Sequence, residues 1–137
     1  MNLDNCIFCD IVNRNIPSKI IYENDKVLAF LDIFPILEGH TIVIPKKHYN
    51  NLEDIKETDL MELFKAVRFL AVHIHEKLNI EGYNILQNNF KAAGQVINHI
   101  HVHIIPRMVD DERFKLKIPR KQANEIDLNH ILDLLKL

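Results

Sequence analysis

The sequence predicts an α+β fold: a largely antiparallel five-stranded sheet with one long helix and a second helix at the C-terminus. Three observations carry this. Short runs rich in β-branched residues recur between polar turns and prolines. One longer segment repeats its apolar residues at spacings of three and four. Strands and helices do not alternate regularly, which argues against stacked βαβ units.

In chain order, Ile20-Ile21-Tyr22 ends at the polar turn Glu23-Asn24-Asp25, and Val27 to Asp32 follows as a second strand, so the two form a hairpin. Phe34-Pro35 and Glu38-Gly39 mark a loop. Thr41 to Ile44 is a third strand, terminated by Pro45. Leu60, Leu63, Phe64, Val67, Leu70, Ala71, Ile74 and Leu78 then form one face of the long helix, with Thr58 as expected N-cap and a stop near Asn79. Tyr83 to Leu86 is a fourth strand, Lys91 to Gln95 a loop, and His99 to Ile105 a fifth strand stopped by Pro106. A final helix is expected over Asp127 to Leu135.

The 137 residues, 47% hydrophobic and 26% charged, suit one globular domain spanning 1–137 that buries its core without disulfides. A net charge of -2 supplies no positive field for nucleic acid. No apolar run reaches membrane-spanning length, and the first residues lack the pattern of a signal peptide, so no membrane partner and a cytoplasmic location are expected.

Two patterns carry chemistry. The first is His99-Ile100-His101-Val102-His103. On a strand, residues two apart share a face, so the three imidazoles line one side, with neighbours ~7 Å apart, while Ile100, Val102 and Ile104 fill the other. His73 and His75 have the same spacing but lie in the helical segment, where they diverge by about 200°. Aligned imidazoles can bind a metal, or one can act as nucleophile while its neighbours tune it. The second pattern is Cys6-Ile7-Phe8-Cys9, which in a reducing compartment reads as a metal or redox site.

With its two following apolar residues, His99 to Ile105 resembles the signature of the histidine-triad (HIT) family. Ile7-Phe8, Ile16-Pro17, Leu28 to Asp32, Gly39-His40, Ile44 to His48 and Ala93-Gly94-Gln95 also resemble family segments, in family order. The resemblance implies a nucleotide hydrolase or transferase of the Hint-like bacterial type. The middle histidine, here His101, would attack the α-phosphorus and form a covalent nucleotidyl-histidine, its far nitrogen held by a backbone carbonyl. His103 and His40 would act around the phosphate, with Gln95 and Asn88 as amides contacting it. Asp32 would bind the ribose hydroxyls, and Phe8, Ile11, Phe30 and Ile33 the base of a purine nucleotide, such as an adenosine phosphoramidate or phosphate. The Cys pair resembles a zinc-binding subset, whose other ligands match His48 and His99. That implies a closed, structural zinc site pinning the N-terminal segment and orienting the triad strand. Relatives are homodimers, so a homodimer is expected.

Where many relatives carry Ser or Thr after the Gly-Gln pair, this chain has Val96. Leaving-group protonation then falls to a histidine or to water. The alternatives are a Fhit-like dinucleoside polyphosphate hydrolase and a non-catalytic nucleotide-binding or interaction protein. The basic cluster Lys115, Lys117, Arg120 and Lys121 reads as a solvated face.

Overall fold

The computed structural model describes residues 5–112 and 119–137. Lys115 and Lys117 lie outside the described residues, while Arg120 and Lys121 are exposed. The elements are α1 (Ile7–Val12), β1 (Ile20–Glu23), β2 (Val27–Leu31), β3 (Thr41–Pro45), α2 (Glu57–Leu78), β4 (Gly82–Leu86), β5 (Val102–Arg107) and α3 (Glu125–Leu135). The strands form one antiparallel sheet in the order β1-β2-β3-β5-β4, the expected fold class.

Both faces of the sheet are covered. Val27 and Ala29 of β2, Val43 of β3 and Val102 and Ile104 of β5 pack with Leu63, Val67 and Leu70 of α2. The alternate residues Leu28, Phe30, Ile42 and Ile44 point the other way and pack with Phe8 and Ile11 of α1. The two-residue period of each strand thus divides the core. The histidines alternate with Ile100, Val102 and Ile104, which places them on the α1 face.

Helix α1 lies outside the expected elements, and most strand and helix ends shift by a residue or two; two of the differences have a plain physical reason. The N-cap of α2 is Lys56, not Thr58, and it makes no side-chain cap. Glu57 and Asp59 in the first turn supply the negative charge that the helix dipole favours there. At the other end Asn79 closes the helix in the left-handed region, φ 49°.

The second difference bears on the site. β5 begins at Val102, not His99, and runs through Pro106. The N–H of Ile100 leaves the sheet to donate to the Tyr49 carbonyl at 2.8 Å, so His99 to His101 precede the ladder. Pro106 is tolerated because β5 pairs with β3 only as far as Ile104, which leaves no ladder bond on that side to lose.

Candidate active site and metal centre

Three segments bring the polar groups together: the start of β5 with the residues leading into it, the turn before β3, and the end of β2. Burial holds the imidazoles neutral. It lowers His101 and His40 below the ordinary 6.5, against the His99 carbonyl and the Asp32 charge respectively. Burial, with His101 and His40 alongside, takes His103 to about 4. In neutral imidazoles the hydrogen bonds then assign the protons.

His101 Nδ1 lies 2.7 Å from the His99 carbonyl, so Nδ1 carries the proton and Nε2 an unshared pair. The other two rings form a chain. The Ile36 N–H donates to His40 Nδ1 at 3.1 Å, which places the His40 proton on Nε2. His40 Nε2–H donates to His103 Nδ1 at 2.8 Å, which places the His103 proton on its own Nε2. The His101 and His103 ring centroids are 5.0 Å apart. A lone pair and a neutral donor therefore stand side by side. Asp32 closes the cluster, its Oδ2 3.6 Å from His40 Nε2 and its Oδ1 accepting from the Phe34 N–H at 2.8 Å.

His101 and His103 open into a cleft of about 540 Å³. Phe8, Ile11, Phe30, Asp32, Ile33 and Asn88 line it, so most of the expected nucleotide contacts converge. Phe8 packs edge-on to His101, ring centroids 5.1 Å apart, and to Phe30 at 5.6 Å. Ile33 stands at the mouth, 78% exposed. Beside it Phe34, 83% exposed, also lines the cleft, as do Ile16 and Ile97. Sequence reasoning missed these three. Phe34 offered one signal, an aromatic residue placed in a loop where no core requires it.

Gln95 and His40 are not among the lining residues. His40 is buried behind His103. Gln95 is also buried, and both ends of its amide are occupied. Oε1 accepts from the Phe90 N–H at 2.9 Å, and Nε2 donates to the carbonyls of Asn50 (2.6 Å) and Ile97 (3.1 Å). The side chain ties the loop before the triad to the segment after β3. Val96 lies at the rim, 90% exposed.

A second cluster joins Cys6, Cys9, His48 and His99, whose ligand atoms all lie within 4.8 Å of one another. His99 Nδ1 is 3.4 Å from Cys6 Sγ and 3.6 Å from Cys9 Sγ, and His48 Nδ1 is 3.3 Å from Cys9 Sγ. Metal–sulfur and metal–nitrogen bonds of about 2.3 and 2.0–2.1 Å put the ligands of a tetrahedral ion about 3.5 Å apart. The donor set therefore fits a metal. The remaining nitrogen of His99, Nε2, donates to the Pro45 carbonyl at 2.8 Å, the bond that orients a ligating imidazole. Burial and the neighbouring Cys6 push the Cys9 thiol up to about 12, so ionising Cys9 at neutral pH calls for a cation.

Asp32, His40 and His103 also bring three ligand atoms together. The proton chain argues against a metal there. A metal on His40 Nε2 would leave Nδ1–H facing the Ile36 N–H, donor against donor.

The sequence profile of the HIT domain matches residues 13–109. An uncharacterised HIT-like protein of Methanocaldococcus jannaschii is 43% identical over 131 residues, 96% of this chain and 98% of that protein. An adenosine 5'-monophosphoramidase of Candida albicans is 42% identical over 106 residues, 74% of this chain and 70% of that protein. Among solved structures, a protein of Streptococcus mutans matches with a TM-score of 0.92 at 36% identity, covering 98% of this chain and 85% of that one. A zinc-bound histidine-triad protein of Mycobacterium smegmatis matches with a TM-score of 0.77 at 36% identity, covering 85% of each chain.

Proposed function

Because the chain belongs to the HIT family, we propose that it hydrolyses or transfers a nucleoside monophosphoryl group through a covalent intermediate on His101. The observation that carries this reading is the 2.7 Å contact between His101 Nδ1 and the His99 carbonyl. It fixes the tautomer that leaves Nε2 free to attack.

In the first step His101 Nε2 forms a bond to the α-phosphorus, and the bond from phosphorus to the leaving group breaks. The ring gains positive charge, which the His99 carbonyl stabilises through Nδ1–H. His103 Nε2–H donates to a phosphoryl oxygen as negative charge grows. With Val96 at the rim, the departing group takes its proton from His103 or from water. Water then attacks phosphorus, the P–N bond to His101 breaks, and the nucleotide leaves. Asp32 receives the ribose hydroxyls, while Phe8, Phe30, Ile11 and Ile33 hold the base.

Phosphoramidates suit the site better than dinucleoside polyphosphates. Among the described residues lining the cleft there is no Lys or Arg to balance a polyphosphate tail. Cys6, Cys9, His48 and His99 hold zinc in our reading, a closed site whose bound ion supplies structural anchoring. We read the whole chain as one domain acting as a homodimer, supported by exposed Tyr83 and Ile85 on the edge strand β4 and by exposed Met61 and Phe64 on α2. Among the described residues, no helix is long and apolar enough to cross a membrane.

The test compares turnover of adenosine phosphoramidate and diadenosine tetraphosphate by the wild type and by His101→Ala. We expect preference for the phosphoramidate, and loss of turnover with retained nucleotide binding in the variant. Binding without turnover in the wild type would replace this reading with a non-catalytic binding protein.

A further inference from the structure

We propose that Cys6 and Cys9 form an oxidisable site whose reduced, ligating state positions the His101 nucleophile, so that converting the pair to a disulfide lowers kcat. The proposal rests on the assignment of His101 as nucleophile.

The nucleophile lacks the ladder anchoring of His103. His103 lies on the β5 ladder, opposite Ile42 and Leu86, whereas His99 to His101 precede it. Their fixings lie elsewhere. The Ile100 N–H donates to the Tyr49 carbonyl, beside His48. His99 is held by the Pro45 carbonyl on one nitrogen and by the two sulfurs on the other. The carbonyl that orients His101 belongs to that same His99. Phe8, between the two cysteines in sequence, packs against both rings, with centroids 5.1 Å from His101 and 5.9 Å from His99. A shift in the cysteine pair therefore reaches His101 through its orienting carbonyl and through its aromatic wall.

The pair is reachable and able to close. Cys9 is partly exposed and meets the oxidant first, while Cys6 is buried behind it and closes the bond. A second cleft of about 310 Å³ is lined by Cys6 and His48 and shares Ile7, Val96 and Ile97 with the nucleotide cleft. A small oxidant can enter it beside the nucleotide. The two sulfurs stand three residues apart on one turn, with the Cys9 N–H donating to Cys6 Sγ at 3.4 Å. Such a turn falls within the Cα separation of about 4.4–6.8 Å that a disulfide spans.

The co-reactant is a peroxide. Two thiolates and two protons, with one hydrogen peroxide, give one S–S bond and two waters. The O–O bond breaks and the sulfurs lose two electrons. Neither sulfur can then serve as a thiolate ligand, and the imidazoles of His48 and His99 lose their sulfur partners. His48 Nε2 is already buried without a hydrogen-bond partner among the described residues, so the edge-on packing of that ring against His99, centroids 4.9 Å apart, is what remains to hold it.

The test treats zinc-loaded full-length protein with hydrogen peroxide. It reads free thiols, zinc released to a chromophoric chelator, kcat and KM with adenosine phosphoramidate, and the His101 ring resonances by NMR. We expect both thiols and the zinc to be lost together, the resonances to shift, and kcat to fall about 10–100-fold while KM moves little. Dithiothreitol with zinc should restore every readout, and dithiothreitol with a chelator should leave kcat low. Because dithiothreitol does not reduce methionine sulfoxide, recovery assigns the effect to the cysteines. Unreactive thiols would overturn the proposal, as would their loss with kcat and the His101 resonances unchanged, or full recovery of kcat without metal. If the untreated protein shows no turnover, the proposed activity fails, and the His101 resonances alone decide whether the pair positions that ring.

Discussion

At the residue scale, the chemistry of the site depends on where three protons sit. The tautomers of His101, His40 and His103 follow from two backbone groups, the His99 carbonyl and the Ile36 N–H, and neither is visible as a residue type. This makes a pH prediction with a defined sign. In the proposed mechanism the attacking ring is neutral, and burial lowers His101, so more of it stays neutral below pH 6.5 than of a free imidazole. The acid limb of kcat/KM should therefore fall below 6.5, and a limb at or above 6.5 would contradict the assignment. Stability follows the same direction. With His103 at about 4 when folded and about 6.5 when unfolded, protonation favours the unfolded chain. Stability present above pH 6.5 is lost as pH falls toward 4, as acid titration of the unfolding midpoint would show.

At the scale of elements, the long helix and the hairpin were legible because their patterns are local. The start of β5 was not. Alternation extends through His99, but the Ile100 N–H is claimed by Tyr49, about fifty residues earlier in the chain, and no local pattern discloses that bond. The site was legible to a similar depth. The triad and the Cys pair are spaced motifs, whereas His48 and His99 entered the metal set only through family resemblance. The family resemblance implies a phosphate contact for Gln95, whereas its amide is occupied by backbone groups of the loops it joins. The turn before β3 is a further test. Gly39 has φ 86°, and a Cβ there would collide with Leu78 Cδ1 of α2. Gly39→Ala should cost roughly 1–3 kcal/mol and displace the adjacent His40. Denaturant unfolding should show the loss, and kcat should fall with it. Unchanged stability would remove the turn as the fixture of His40.

At the scale of the whole molecule, the cluster of Cys6, Cys9, His48 and His99 brings together parts that the sheet alone does not: α1, the segment after β3, and the approach to β5. A group that binds only the folded state stabilises it by mass action, about 4 kcal/mol at a thousandfold excess over Kd. Removing zinc with a chelator should lower Tm by on the order of 10 °C for a chain of this size. Restoring zinc should recover it, and an unaltered Tm would show that the four residues anchor nothing. The homodimer reading makes a separate prediction. Sedimentation should give twice the chain mass, and charge introduced by Ile85→Lys on the edge strand should yield monomers.

In the proposed mechanism His101 carries the nucleotide between bond breaking and hydrolysis. Intact-protein mass spectrometry after brief reaction with adenosine phosphoramidate, quenched in alkali to preserve a phosphorus–nitrogen bond, tests it most directly. We predict a mass gain of one nucleoside monophosphoryl group, mapped to His101 and absent from His101→Ala. The same adduct in the variant, or full turnover without His101, would contradict it.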